Sequence, residues 1–209
     1  MKFMTFSGDP SLINLNFDAP CADPLLILRE WLEMADKIGI IEPRSMVLST
    51  IDIDNRPSSR VVILKDCNEQ GVIFSTSQGS AKGKDLLMNP WACGTLYWRE
   101  TIQQINFKGK TTPLSNNVSD KIFQEWSRDA KAVAVISKKS EPLINEKELE
   151  DSVLNLINSR EEIERPKEWK AYLLIIESIE FWHGRENRLH KRLRYDLIDK
   201  VWHHQRLQP

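Results

Sequence analysis

The clearest pattern of apolar and polar positions begins just after residue 22. Apolar residues recur there at three- and four-residue steps, which places them on one face of a helix. Asp23 followed by Pro24 is typical of an N-cap with proline at the first helical position, and Gly39 is typical of a helix end. The pattern therefore predicts an amphipathic helix between these residues. Its apolar face consists of Leu28, Trp31, Leu32, Ala35 and Ile38.

The middle of the chain has a different pattern, with short runs rich in β-branched and aromatic residues. Turn-forming sequences such as DIDNRP and DCNEQG separate these runs. Strands so close in sequence pair antiparallel, and a series of this length favours a closed barrel over a doubly wound sheet. The predicted strands cover residues 45–53, 59–65, 71–77, 93–99 and 103–111.

The remaining segments complete the prediction of a single domain. Helical patterns cover residues 80–88, 118–126 and 146–160, and the apolar run at 171–179 is predicted to be the last strand. Residues 1–22 lack periodicity and are predicted to form a loose arm, so the folded domain is expected at residues 23–209. The predicted fold class is mainly β with peripheral helices (α+β).

Composition and charge narrow the function classes. The chain has 209 residues with 29 basic against 30 acidic side chains, so no nucleic-acid partner is expected and any anion site has to be local. No segment approaches the ~18–20 consecutive apolar residues of a membrane span, so no membrane partner is expected either. The three cysteines are odd in number and widely spaced, which favours a reducing compartment and a cytoplasmic protein.

Metal and serine-hydrolase chemistry both lack their usual sequence patterns. His183 and His190 are seven residues apart and have no H-E-x-x-H motif or carboxylate triad beside them, so no metal site is predicted. The chain also has no G-x-S-x-G elbow for a nucleophilic serine.

The segment QGSAKGKD at residues 78–85 raises the question of a phosphate site. It differs from a Walker A motif because its two glycines are one residue too close and Asp85 stands where a hydroxyl is needed. Ser80 is a suitable N-cap, but Lys82 and Lys84 oppose the helix dipole unless an anion is bound there. The pattern alone fits a phosphate site and a solvated turn equally well.

The most basic stretch, EFWHGRENRLHKRLRY at residues 180–195, follows the last predicted strand. Its cations form either a solvated turn or the wall of an anion pocket. Arg60 and Lys65 pose the same question at the two ends of a predicted strand, where a spacing of five points them to opposite faces. The basic stretch contains Arg185, Arg188, His190, Lys191, Arg192 and Arg194.

Seven segments, taken in order, resemble the pyridoxamine 5'-phosphate oxidase family of FMN proteins. They are RVVILK, GVIFSTS, SAKGKDLLMNP, YWRETIQQI, SKKSE, EFWHGRENRLHKRLRY and the terminal RLQP. The resemblance extends from about residue 23 to residue 209. It implies a split β-barrel, a homodimer, and FMN in a cleft that both subunits build. The basic stretch would then form part of a flavin and substrate pocket.

The resemblance also implies roles for individual residues. Ala81 stands where the family has the arginine of a phosphate-binding Arg-Lys pair, so the grip on phosphate is weaker or is rebuilt by another residue such as Lys84. Lys139 stands where the family usually has glutamine. The implied FMN contacts are Arg60, Val61, Val62, Ile63, Leu64, Lys65, Ser75, Thr76, Lys82, Gln104, Lys139, Ser140, Trp182 and Arg192. The implied substrate contacts are Lys65, Arg188 and His190.

One departure from the family changes the expected substrate. Pyridoxamine-phosphate oxidases hold the substrate phosphate with a Tyr, an Arg and a Ser at four-residue steps, where this chain has Ile122, Trp126 and Ala130. On a helix these side chains form an apolar face without a phosphate donor. The segments LYWRETIQQI and RLQP most resemble the flavin oxidases of phenazine biosynthesis, which act on reduced tricyclic carboxylic acids.

The predicted function is FMN-dependent oxidation of a reduced heterocyclic acid, with hydride equivalents passed to the flavin and then to oxygen. Arg188 and Lys65 would bind the carboxylate, and His190 would orient the substrate or take a proton. Trp126 would stack on the ring. Two alternatives are a vitamin B6 phosphate oxidase with a relocated clamp and a flavin- or haem-binding split barrel without turnover. The retained Arg188-Leu189-His190 sequence favours an enzyme.

Overall fold

The computed structural model describes residues 8, 9, 11 and 15–209; the rest of the predicted arm lies outside the described residues. The helices in this part of the chain are α1 (Pro24–Ile38), α2 (Ala81–Met88), α3 (Asn116–Gln124), α4 (Arg128–Ile136) and α5 (Glu146–Asn158). The strands are β1 (Ser45–Ile51), β2 (Pro57–Ile63), β3 (Asp66–Cys67), β4 (Gly71–Ser77), β5 (Trp91–Trp98), β6 (Gln103–Pro113), β7 (Trp169–His183), β8 (Lys191–Ile198) and β9 (Val201–Leu207).

The strands form one antiparallel sheet that closes on itself. Its main path is β2-β1-β5-β6-β7-β4-β3, while β8 pairs with β7 and β9 pairs with β8. Leu64 donates its amide hydrogen to Arg44 O, and Lys65 donates to Ile73 O on β4. The first bond extends the pairing of β1 with β2, and the second ties the end of β2 to β4, which brings the two sides of the sheet together. The predicted barrel with peripheral helices is confirmed.

β7 connects the two halves of this barrel. Its first half pairs with β4 and its second half with β8, while β6 runs beside it over most of its length. The register between β6 and β7 shifts between Lys108 and Gly109. A Cβ atom on Gly109 would lie 1.8 Å from Ile175 O, so the close approach of the two backbones there requires glycine. The bulge bends β7 and lets one strand serve both sheet edges.

The predicted helix α1 is confirmed and packs its apolar face against the core of the barrel. Asp23 accepts a hydrogen bond from the Leu25 amide at 2.8 Å, and Gly39 ends the helix with a positive φ of 76°. Trp31 is buried and meets the ring of Phe181 on β7 edge-on, with the ring centres 5.2 Å apart. The spacing of apolar residues in the sequence therefore correctly predicted the face of α1 that packs against the barrel.

The prediction that residues 171–179 form the last strand is wrong. β7 extends to His183, and two further strands follow it. In β8, Leu193 and Tyr195 are buried, while Arg194 between them is only half-buried and faces the other side of the strand. The density of cations in this segment obscured a period of two that is typical of a strand. The helix α4 was also absent from the sequence prediction.

The residues that lead into α1 pack against the C-terminal hairpin. Leu15 and Phe17 are buried, and the Tyr195 hydroxyl donates to Cys21 O at 2.7 Å. The domain boundary at residue 22 stays a prediction, although this last part of the arm is in contact with the barrel. Among the described residues no helix has the length and apolar character needed to cross a membrane. The cytoplasmic location stays a prediction.

Candidate functional site

The first turn of α2 is fixed by a capping residue and by close contact with the end of β4. The Ser80 hydroxyl accepts a hydrogen bond from the Gly83 amide at 3.2 Å and donates to Ser77 O at 2.7 Å. A Cβ atom on Gly83 would lie 2.1 Å from Ser77 O, so a larger residue would push the strand end away from the helix. The predicted N-cap is confirmed, and it fixes where the side chain of Lys82 begins.

The loop between α4 and α5 docks on this helix start. The Ser140 hydroxyl accepts a hydrogen bond from the first amide of α2, at Ala81, with a length of 3.1 Å. Ser140 has a positive φ of 66°, a conformation that is uncommon for serine and is held here by the surrounding contacts. The docking brings Lys139 to the same cavity as Lys82, a space of about 510 Å³.

Arg60 lies beside this group and is held by polar contacts. It pairs with Leu48 across β1 and β2, and because Leu48 is fully buried, Arg60 points to the inner side of the barrel. Its Nη1 donates to Thr50 Oγ1 at 2.7 Å and to Leu48 O at 3.3 Å. The Thr50 hydroxyl donates to Asp85 Oδ2 at 2.6 Å, and Asp85 Oδ2 lies 3.7 Å from Arg60 Nη2.

The electrostatics of this group favour an anion. Burial lowers the pKa of Lys82, and the cations Arg60 and Lys139 lower it further, while Asp85 acts in the opposite direction. Burial also lowers the pKa of Lys139 and of Arg60. Lowered pKa values on neighbouring cations mean that the cluster holds more positive charge than its surroundings stabilise. A bound phosphate or carboxylate would stabilise these charges.

The opposite wall of the cavity is aromatic. Trp126 lies with its ring centre 5.1 Å from that of the buried Trp169 and nearly perpendicular to it, and 6.0 Å from that of Phe123. Lys65 Nζ lies 5.3 Å from the centre of the Trp126 ring. The indole N–H of Trp126 is buried and has no acceptor among the described residues. Trp126 and Trp169 line the cavity, so its wall offers a flat aromatic ring, and the Lys65 ammonium group lies over the Trp126 ring.

The three residues that replace the family's phosphate clamp do not lie on one helix face, as was expected from the sequence. Ile122 lies in α3, but the helix ends before Trp126, and Ser127 caps the new helix α4 that carries Ala130. The break turns Trp126 toward the cavity, which Trp126 and Ala130 both line. Ile122 packs instead in a small apolar cluster with Ile73 and Leu173.

A second group of predicted residues lies on the outer face of the sheet. Gln104 pairs with Trp182 across β6 and β7, and Trp182 pairs with Arg192 across β7 and β8. Arg192 binds Glu180 through Nε at 2.6 Å and Nη2 at 3.0 Å, and this pairing raises its pKa. These side chains form one row across three strands.

The loop after β7 carries the remaining predicted residues. His190 accepts a hydrogen bond from the Arg185 amide through Nδ1 at 3.0 Å, and its ring centre lies 4.8 Å from that of Trp182. Arg188 is exposed and has a positive φ of 62°. The loop therefore presents its arginine to the outside, at the end of the outer row.

The two groups do not meet within one chain. Arg60 points to the inner side of β2, whereas Gln104 lies opposite the exposed Tyr97 and faces outward. The strands β1 and β5 separate β2 from β6. At about 4.8 Å between neighbouring strands, three steps along the sheet separate the two groups by roughly 14 Å of sheet alone. Within one chain the two groups therefore lie apart, on different faces of the sheet.

The rest of the predicted FMN strand divides between the two sides. Val61 and Ile63 are exposed, Val62 is half-buried, and Leu64 is fully buried. Leu64 can thus reach a ligand only through its backbone. Of the residues at the cation cluster, Lys84 is exposed and does not line the cavity.

Sequence reasoning missed Thr50, Asp85 and Trp169 as parts of the site. Thr50 and Asp85 are 35 residues apart, so no short motif links them. Trp169 opens β7 and could have been found only from the general expectation that some of the seven tryptophans line a binding surface. Groups of three or more metal-ligating side chains are absent from the described residues.

Comparisons with known proteins show the family. The model of the pyridoxamine 5'-phosphate oxidase family matches residues 32–156, and that of the pyridoxine 5'-phosphate oxidase C-terminal dimerisation region matches residues 169–209. A dihydrophenazinedicarboxylate synthase of Pseudomonas chlororaphis is 40% identical over 92% of this chain and 87% of its own length. A pyridoxine/pyridoxamine 5'-phosphate oxidase of Flavobacterium psychrophilum is 37% identical over 90% of this chain and 89% of its own length.

A solved structure extends the similarity to the backbone. The structure of PhzG from Burkholderia lata 383 in complex with tetrahydrophenazine-1-carboxylic acid superposes with a TM-score of 0.93. It is 35% identical in sequence, and the match covers 97% of this chain and all of that one. The split-barrel architecture predicted from the sequence is therefore confirmed.

Proposed function

The chain belongs to the pyridoxamine 5'-phosphate oxidase family, and we propose that it is a homodimeric FMN-dependent oxidase of phenazine biosynthesis. It would remove hydride equivalents from a reduced phenazine-type carboxylic acid and pass them to oxygen. Similarity to a dihydrophenazinedicarboxylate synthase and to a protein solved with a tetrahydrophenazine carboxylate supports this substrate class.

The cation cluster at the start of α2 fits the phosphate of FMN. Lys82 and Lys139 line one cavity, and the lowered pKa of each reflects positive charge that lacks full stabilisation. An FMN phosphate would supply two negative charges to this cluster. When bound, the flavin supplies the hydride acceptor and the reaction with oxygen. The chain supplies binding, orientation and exclusion of water.

The substrate preference rests on one observation, the Lys65 ammonium group held over the ring of Trp126, which lines the cavity. A planar carboxylated ring would stack on the indole and pair its carboxylate with the ammonium group. A vitamin B6 phosphate would find no donor on Ile122 or Ala130. Each charge-assisted hydrogen bond lost in this way costs roughly 1.5–3 kcal/mol.

Closure of the site requires the partner subunit. In a twofold dimer, the outer row of each chain would lie against the cation cluster of the other, which gives two equal sites. The match to the dimerisation region covers β7, β8 and β9, the strands that carry Trp182 and Arg192. The exposed apolar side chains Val61, Ile63 and Tyr97 on the outer face support burial against a second chain. In this arrangement Arg188 and His190 would bind and orient the substrate from the partner's side.

The function is tested by anaerobic bleaching of the bound flavin. Purified protein should be yellow and should release FMN on denaturation. A reduced phenazine carboxylic acid should bleach the flavin within one turnover, and oxygen should restore the colour. Pyridoxine 5'-phosphate and pyridoxamine 5'-phosphate should act at least about 100-fold more slowly, since they lose two or more donor contacts.

Three other results would each contradict part of this function. Fast bleaching by the B6 phosphates would favour a B6 oxidase with a relocated clamp. Bound flavin that no candidate reduces would favour a binding protein without turnover. A colourless protein that does not take up added FMN would contradict the flavin itself.

A further inference from the structure

An acidic residue lies within the cation cluster, and its contacts explain its presence. Asp85 belongs to α2, one turn after the lysine that lines the cavity, and is half-buried beside Arg60 and Lys82. A carboxylate there weakens an anion site electrostatically, since like charges repel. The electrostatic term alone therefore predicts that removing Asp85 would strengthen the binding of a phosphate.

The hydrogen bonds give Asp85 a different role. Its Oδ2 accepts from the Thr50 hydroxyl at 2.6 Å, and the same hydroxyl accepts from Arg60 Nη1 at 2.7 Å. Thr50 is completely buried, and its hydroxyl has one hydrogen to donate and accepts only through its oxygen lone pairs. Asp85 accepts this hydrogen, which leaves the oxygen lone pairs turned toward Arg60.

The same contacts fix the orientation of the guanidinium group. Arg60 Nη1 also reaches Leu48 O at 3.3 Å, and Nη2 donates to Ser58 Oγ at 2.8 Å, with Asp85 at 3.7 Å. A guanidinium held by several acceptors in one plane keeps its remaining edge in a fixed direction. Arg60 is partly desolvated, which lowers its pKa, and Asp85 opposes that shift.

We propose that Thr50 and Asp85 are a positioning pair, which holds Arg60 in the orientation that FMN binding requires. The pair links β1 to α2, so it also fixes Arg60 relative to Lys82, whose backbone belongs to the same helix as Asp85. This inference rests on the proposed function, because it takes FMN as the ligand of the cluster. It assigns a role to two residues that do not line the cavity.

The test uses FMN affinity, measured by quenching of flavin fluorescence on titration of the flavin-free protein. Thr50→Val removes the hydroxyl without a change of charge or size and should weaken FMN binding about 10-fold or more. Thr50→Ser keeps the hydroxyl and should stay within about 2-fold of the wild type. Asp85→Ala should also weaken binding, against the direction that electrostatics alone predicts.

A double-mutant cycle shows whether the pair acts through Arg60. Thr50→Val should lose its effect in an Arg60→Ala background, because the residue that it positions is then absent. An equal loss in both backgrounds would overturn the proposal, and so would tighter binding by Asp85→Ala or equal loss in Thr50→Ser and Thr50→Val. Unfolding temperatures of the flavin-free variants separate a loss of fold from a loss of orientation. If the wild type itself fails to bind FMN, the proposed function falls and not only this inference.

Discussion

Two basic regions of this chain look alike in sequence and differ in the structure. The start of α2 holds Lys82 with Arg60 and Lys139 nearby, and burial and mutual repulsion lower the pKa of Lys82. In the β7–β8 region, Glu180 binds Arg192 in a bidentate pair and raises its pKa, and Asp196 lies 2.8 Å from Arg194. The first region holds charge that a ligand would stabilise, whereas the second has stabilised much of its charge internally.

The difference shows that a count of cations does not locate an anion site. Both segments have a high density of positive charge, and by that measure the stretch at 180–195 is the stronger candidate. What separates the two is the number of acidic partners within reach and the degree of burial. In the basic stretch, only the loop residues such as Arg188 extend away from the paired strands.

The largest expected effect is at Lys82. Lys82→Met should weaken FMN binding about 100-fold, since one charge-assisted contact to a phosphate contributes roughly 1.5–3 kcal/mol. Lys84→Met is the matched control, because Lys84 lies in the same helical turn but is exposed. We expect this variant to change the affinity for FMN by less than about 2-fold. Equal losses in the two variants would mean that general charge, and not the cavity, attracts the cofactor.

The next prediction concerns Arg188, which lies in the exposed loop of the basic stretch. Arg188→Lys keeps the charge but loses the planar fork, and should lower kcat/KM for the acid substrate about 30-fold, a loss of ~2 kcal/mol. FMN affinity should stay unchanged. Arg185→Lys, in the same exposed loop, serves as the control and should behave like the wild type. If Arg188→Lys weakened FMN binding instead, Arg188 would contact the flavin and not the substrate, which would contradict this assignment.

Lys139 sharpens the comparison, because its cation comes from a loop and not from the helix. Lys139→Gln restores the residue that the family usually has and should weaken FMN binding about 10-fold. Adding Ala81→Arg should recover most of the affinity by returning the family's arginine to the helix start.

Riboflavin gives the control, since it lacks the phosphate and should bind Lys139→Gln and the wild type equally. A matching loss for riboflavin would mean that Lys139 contacts the ring system and not the phosphate.

The smallest effect concerns pH. A lysine with a lowered pKa in the folded state releases its proton at a lower pH than in the unfolded chain, so the unfolded state binds more protons in that interval. The stability of the flavin-free protein should therefore rise with pH below the ordinary lysine pKa of about 10.4. We expect a rise in Tm of about 2 °C or less between pH 8 and 9.5 that Lys82→Met reduces. An unchanged slope in that variant would contradict the lowered pKa of Lys82.

The sequence predicted those elements whose pattern is set by local chemistry. Asp23, Pro24 and Gly39 mark the limits of α1, and runs rich in β-branched and aromatic residues mark β4–β6, because caps and strand propensities act over a few residues. The strand β8 was missed, since its arginines hid the alternation of Leu193 and Tyr195. The helix α4 was missed because Trp126 was assigned to a continuous helix that in fact ends before it.

The candidate site was accessible from sequence only in part. Ser80 and Lys82 form a local helix start that the pattern revealed, and the family resemblance added Lys139. The Thr50–Asp85 bond joins β1 to α2 across the barrel, so only the folded chain brings these residues together. The pairing of Arg192 with Glu180 is likewise a cross-strand contact that depends on the register of β7 and β8.

The position of β7 has a consequence for how the chain is made on the ribosome. Before residue 169 emerges, β6 and β4 each lack their β7 neighbour, and β3–β4 meets the other strands at the end of β2, through contacts such as the Lys65–Ile73 hydrogen bond. β7 joins β6 to β4 by pairing residues about a hundred positions apart, such as Gly71 with Ile175, and such long-range closure is slow. Nascent chains would thus expose two open strand edges until the last fifth of the protein is synthesised, a state prone to aggregation. Since the same C-terminal segment matches the dimerisation region, vectorial synthesis would delay barrel closure and subunit assembly together.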